Sequence, residues 1–71
     1  MEKNSSTSEK LILIVEDDMM LSAGLIRALQ EEGRKIERCG NIRDARHLIT
    51  QKQPDLMILD INLPDGSGYD F

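Results

Sequence analysis

The stretch Pro54-Asp55-Leu56-Met57-Ile58-Leu59-Asp60-Ile61-Asn62-Leu63-Pro64-Asp65-Gly66-Ser67-Gly68 decides the fold of this chain. Four consecutive aliphatic residues, Leu56 to Leu59, are too few for a helix. They fit a strand buried on both faces. Pro54 precedes them and ends whatever helix lies upstream. Asp60 stands at the carboxyl end, and Asn62, Pro64, Asp65, Gly66 and Gly68 are loop chemistry.

A second aliphatic run, Leu11 to Val15, reads as another buried strand and breaks off at Glu16-Asp17-Asp18. Leu21, Leu25, Ala28 and Leu29 then recur at helical spacing from Met19 to Glu32, with Gly33 placed for a C-cap. Arg34 to Cys39 is a weaker, more polar strand suited to an edge. Asn41 reads as the N-cap of a second helix, with Asp44 three residues on and Ile42, Ala45, Leu48 and Ile49 as its apolar face. Strand, helix, strand, helix, strand implies right-handed crossovers and a parallel sheet of order 2-1-3. The expected fold class is α/β, the N-terminal half of a flavodoxin-like doubly wound sheet that stops before a third helix.

In that order the first and third strands are neighbours, and ligands bind at the carboxyl ends of such strands. Three or four carboxylates, from Glu16, Asp17, Asp18 and Asp60, are therefore expected around one crevice. An acidic cluster at a strand end is by itself most simply solvated; a second one on the adjacent strand changes that balance. Close carboxylates repel. A hard divalent cation relieves the repulsion, and Mg²⁺ suits few carboxylates, several waters and a phosphate oxygen.

The 71 residues allow at most one small domain. With no Trp, one Tyr and one Phe, the core must be aliphatic. The formal net charge of -4 argues against direct nucleic-acid binding, and the basic residues between Arg34 and Lys52 are most simply a solvated face. A lone Cys39 suits a reducing cytosol and reads as a small buried apolar residue. Met1 to Lys10 has no apolar segment of a signal peptide, and no aliphatic run is long enough to cross a membrane. A cytoplasmic location is expected. Residues 1–9, polar and Ser-rich, read as a disordered lead-in to a domain over 10–71. His47 reads as a surface residue. Met19, Met20 and Met57 read as core or near-core packing. Gly66-Ser67-Gly68 does not open a helix and does not read as a nucleotide-binding loop.

With these residues on view, the chain resembles the receiver domain of bacterial two-component response regulators. Ile12 to Asp18 is similar to that family's first strand and acidic pair, and Pro54 to Gly68 to its phosphorylation segment. The resemblance implies that Asp60 is the phosphoacceptor and that Mg²⁺ is held by Glu16, Asp17, Asp60 and the backbone carbonyl of Asn62, with Glu16 acting through metal-bound water. It implies a sensor histidine kinase as phosphodonor and a regulatory module, not a turnover enzyme. Its output domain, often DNA-binding, is absent here.

The family's later Ser or Thr, its Lys and its aromatic switch residue are also absent from these residues, so phosphorylation of the 71-residue chain is expected to be slow or absent. Two other functional classes stay open. One is a Mg²⁺-dependent phosphatase- or nuclease-like site, against which Asn62 stands where an Asp-nucleophile phosphatase carries its general acid. The other is a silent fragment that only binds partners. Without strands four and five, Leu56 to Leu59 would be an exposed edge, which predicts poor folding or self-association through the third strand.

Overall fold

The computed structural model describes residues 9–70. The expected disordered lead-in lies outside the described residues except for Glu9, as does Phe71. The elements are β1 (Lys10–Val15), α1 (Met19–Leu29), β2 (Arg34–Cys39), α2 (Ile42–Gln51) and β3 (Leu56–Leu59). They are followed by two short strands, β4 (Asn62–Leu63) and β5 (Gly66–Ser67), and one 3₁₀ turn over Gly68–Asp70. The main sheet runs β2-β1-β3 with both pairings parallel. That is the order 2-1-3 of a flavodoxin-like doubly wound sheet.

β1 is central because it is apolar on both faces. Leu13, Ile14 and Val15 are wholly buried and Ile12 nearly so. Successive strand residues face opposite ways. Leu13 and Val15 pack with Cys39 of β2 and with Ile42 and Ala45 of α2, and Leu48, Met57 and Leu59 lean on this cluster. Ile12 and Ile14 take the opposite face, which right-handed crossovers leave to α1. Cys39 is a buried member of the core.

Several local expectations need correction. β3 is the expected edge, paired on one side alone, but its side chains are not buried on both faces: Leu56 is exposed and the others are half-buried. α1 ends at Leu29, with Gln30 as its C-cap. Gly33, with φ +89°, serves the turn into β2 instead, where Arg34 N–H donates to the Glu31 carbonyl at 3.1 Å. The helix end gains a side-chain partner: Arg34 Nη1 donates to the Leu29 carbonyl at 2.9 Å.

The inward face of α1 is Ser22, Leu25, Ile26 and Leu29, whereas Leu21 and Ala28 point outward. Met19 and Met20 are also exposed, at 67% and 86%, so of the three methionines only Met57 packs near the core. The segment after Asp60 is an antiparallel β4-β5 hairpin, in register Asn62↔Ser67 and Leu63↔Gly66, where only loop was expected. It is anchored through Leu63, which joins the main core.

α2 is capped twice. Asn41 Oδ1 accepts from Asp44 N–H at 2.7 Å, as its N-cap position predicts. Asp65, at the hairpin tip, accepts from the N–H groups of Ile42 and Arg43 at 2.8 and 3.0 Å, one on each carboxylate oxygen. A helix start leaves these donors without backbone partners. Those two bonds hold the Asp65 carboxyl below the usual range, and they fasten the hairpin to α2.

Candidate functional site

Two strand ends bring the acidic residues together. β1 hydrogen-bonds beyond its last residue on both sides. Glu16 N–H donates to the Cys39 carbonyl at 2.9 Å, and Asp60 N–H donates to the Val15 carbonyl at 2.9 Å. These bonds fix the starting points of Glu16 and Asp60 across neighbouring strands. One carboxylate oxygen each from Glu16, Asp17 and Asp60 then lies within 4.8 Å of the others. Glu16 is buried, Asp17 exposed and Asp60 half-buried, so the cluster opens to solvent on the Asp17 side.

The electrostatics follow from this crowding. Asp18 N–H donates to Glu16 Oε2 at 3.1 Å, which pulls the Glu16 carboxyl down. Burial, the charge of Asp60, a hydrogen bond shared with the Asp60 carboxylate and the charge of Asp17 together outweigh that bond and leave Glu16 raised. Asp60 Oδ1 accepts from Asn62 N–H at 3.3 Å, which ties the side chain to the backbone of the residue two positions on.

Asp18 does not join the cluster. It is the N-cap of α1, its Oδ1 accepting from Met20 and Leu21 N–H at 3.0 Å each. Its position directly before the helical pattern was the signal for that role. His47 is exposed on α2 near Gln51, away from the acids. The residues that sequence reasoning missed are Asp65, whose capping target lies 23 residues upstream, and Ser22, a buried hydroxyl that donates to the Glu16 carbonyl at 3.3 Å.

The donor set fits a hard divalent ion. All three groups are carboxylate oxygens, close enough to approach one centre, and Mg²⁺ takes oxygen ligands at about 2.0–2.1 Å while keeping several waters. The open side at Asp17 leaves room for those waters.

A three-stranded parallel sheet with carboxylates gathered at the ends of its adjacent first and third strands defines a doubly wound α/β module with an acidic crevice. Residues 12–71 match the response regulator receiver domain family. The transcriptional regulatory protein PmrA of Pectobacterium parmentieri is 44% identical over 57 residues, which cover 80% of this chain and 26% of that protein. The KDP operon transcriptional regulatory protein KdpE of Escherichia coli K12 is 35% identical over 60 residues, 84% of this chain and 27% of that protein. BasR of the same organism is 42% identical over 60 residues, with the same coverage. No solved structure matches the chain.

The chain therefore belongs to the receiver-domain family of two-component response regulators. It spans about a quarter of the length of the curated relatives it matches. Among the described residues, no helix is long and apolar enough to cross a membrane.

Proposed function

We propose that this chain is a phosphoacceptor module of a two-component phosphorelay, in which Asp60 takes a phosphoryl group from a phosphohistidine of a sensor histidine kinase. The observation that carries this reading is the convergence of Glu16, Asp17 and Asp60 from adjacent strand ends. Asp17, Asp60 and the backbone carbonyl of Asn62 would hold Mg²⁺, with Glu16 orienting its water. When bound, the ion supplies positive charge beside the transferring phosphoryl oxygens.

The residues themselves supply the rest. Asn62 N–H on Oδ1 limits rotation of the Asp60 carboxylate and leaves Oδ2 as the nucleophile. Oδ2 forms the new O–P bond as the N–P bond of the phosphohistidine breaks, and that bond's electron pair returns to the imidazole. The module regulates; it does not turn over substrate, and a cytoplasmic setting suits a kinase partner of this kind. The same reading treats residues 10–71 as the receiver unit. The single-sided pairing of β3 also supports self-association of the isolated chain through that edge, which sedimentation across a dilution series would reveal.

The test is labelling of a full-length version, which supplies the family's later Ser or Thr and Lys, with a small phosphodonor, read by mass spectrometry; the 71-residue chain alone should label slowly or not at all. One phosphoryl group should appear on Asp60 in the presence of Mg²⁺, and Asp60→Asn should abolish it. Persistent labelling of that variant would place the acceptor elsewhere, with Asp18 and Asp65 next in line. Asp17→Asn should lose most of the NMR response to Mg²⁺.

A further inference from the structure

Glu16 and Ser22 are the two buried polar side chains among the described residues. Ser22 is 1% exposed and lies on the inner face of α1, where a helix ordinarily carries an apolar residue. Its hydroxyl makes two bonds. It donates to the backbone carbonyl of Glu16 at 3.3 Å, and it accepts from Arg38 Nε at 3.0 Å. A guanidinium has donors only, and it stays protonated. The Ser22 proton is therefore never needed for Arg38 and remains available to Glu16.

We propose that Arg38 and Ser22 act as a relay of positioning residues that holds the peptide between Glu16 and Asp17 and so sets the acidic crevice. The carbonyl that Ser22 binds belongs to that peptide. Fixing its plane fixes where both carboxylates begin. Glu16 is then held at three points: N–H by the Cys39 carbonyl, carboxylate by Asp18 N–H, and carbonyl by Ser22. Two of these ties come from the end of β2, one directly through Cys39 and one from its neighbour Arg38 through Ser22.

The space for Arg38 is shaped as well. A Cβ on Gly40 would stand 3.3 Å from Arg38 Nη2 and 4.0 Å from the Asp17 Cα. The guanidinium thus occupies room beside Gly40 that a side chain there would crowd. This accounts for a charged residue at the inner end of a strand that otherwise reads as an exposed edge.

The proposal rests on the reading of Glu16, Asp17 and Asp60 as a Mg²⁺ site, and the experiment separates the two. Mg²⁺ is titrated into wild type, Ser22→Ala, Arg38→Met, Arg38→Lys and the Ser22→Ala/Arg38→Met double variant, following the amide signals of Asp17 and Asp60. Retained dispersion of the β1 and β3 amides reports an intact fold. Ser22→Ala should weaken Mg²⁺ binding about tenfold, the lower end for partners behind a metal ligand. Arg38→Met and Arg38→Lys should weaken it alike, because lysine keeps the charge but places a methylene where Nε donates.

The double variant should be no weaker than Ser22→Ala alone, since the two residues act in series. The metal-free Asp18 amide, which reports the Glu16 Oε2 contact, should shift in Ser22→Ala. A folded Ser22→Ala that binds Mg²⁺ within about twofold of wild type overturns the relay alone. So does an Arg38→Lys that binds like wild type beside a weakened Arg38→Met, which would make charge the agent. If Ser22→Ala does not fold, the two Arg38 variants decide. A wild-type chain without a saturable Mg²⁺ response overturns the metal site and the relay together.

Discussion

Replacing Gly68 with alanine places a methyl carbon 2.2 Å from the carbonyl oxygen of Asp60, about 0.8 Å inside the 3.0 Å closest approach of real Cβ atoms. The same methyl would stand 3.0 Å from the Asp60 carbonyl carbon and 3.1 Å from Leu59 Cγ. The obstacle is backbone, not the flexible end of a side chain, so the chain must move. The Gly68 N–H bond to the Ile61 carbonyl, 2.7 Å long, closes the loop that would have to open. Overpacking of this kind costs about 1–3 kcal/mol. Losing the hydrogen bond adds about 0.5–1.5 kcal/mol.

Urea denaturation followed by circular dichroism measures the sum, and the Asp60 amide signal reports the local shift. Gly24→Ala is the control, because a Cβ there meets nothing within 4 Å and the residue lies inside α1. That variant should gain about 0.5–1 kcal/mol. A Gly68→Ala protein within about 0.5 kcal/mol of wild type, with an unmoved Asp60 amide, would refute the steric reasoning.

Two further predictions concern pH. The Asp65 carboxyl is held below its ordinary 3.8 by the Ile42 and Arg43 N–H groups, so the unfolded chain binds more protons in acid. The stabilisation is complete above the ordinary value and lost as pH falls through the lowered one; Asp65→Asn should flatten that acid limb in a thermal-melt series, and an unchanged limb would count against the cap. Glu16 is shifted the other way, above its ordinary 4.5, so its stabilisation is present below that value and lost as pH rises through the raised one. In the metal-free protein at neutral pH, Glu16→Gln should melt higher than wild type, with the gap closing in acid; a lower melting temperature at neutral pH would show that the Asp18 bond dominates.

Much of this arrangement was legible in the sequence because apolar runs announce strands. Leu11–Val15 and Leu56–Leu59 are both strands, and the polarity of Arg34–Cys39 marked the outer strand. The carboxylates at two strand ends followed from topology alone. Other features were hidden because their partners are distant in sequence. Asp65 reads as a turn residue, and nothing in its neighbourhood reveals a helix start 23 residues upstream. The face of α1 was misread for a different reason. Its inner stripe includes Ser22, a polar residue that periodicity counts as solvent-facing, so the apolar spacing picks out Leu21 and Ala28 in its place. β3 has the composition of a central strand, and its half-buried side chains reflect the edge position expected when only one of its edges is paired.

The central position of β1 has a consequence for how the chain is made. β1 pairs with β2 across 24 residues, from Lys10 to Arg34, and with β3 across 44, from Ile12 to Leu56. Loop-closure entropy grows so slowly that the longer closure costs only about 0.6 kcal/mol more. Loop closure hardly ranks the two pairings, but the order of synthesis does. At roughly 5–20 residues per second, the chain from Cys39 to Leu59 takes about 1–4 s to emerge. For that interval β1 can already be zipped to β2 while its other edge waits bare, and Glu16 and Asp17 stand at the end of a two-stranded sheet before Asp60 has emerged to face them.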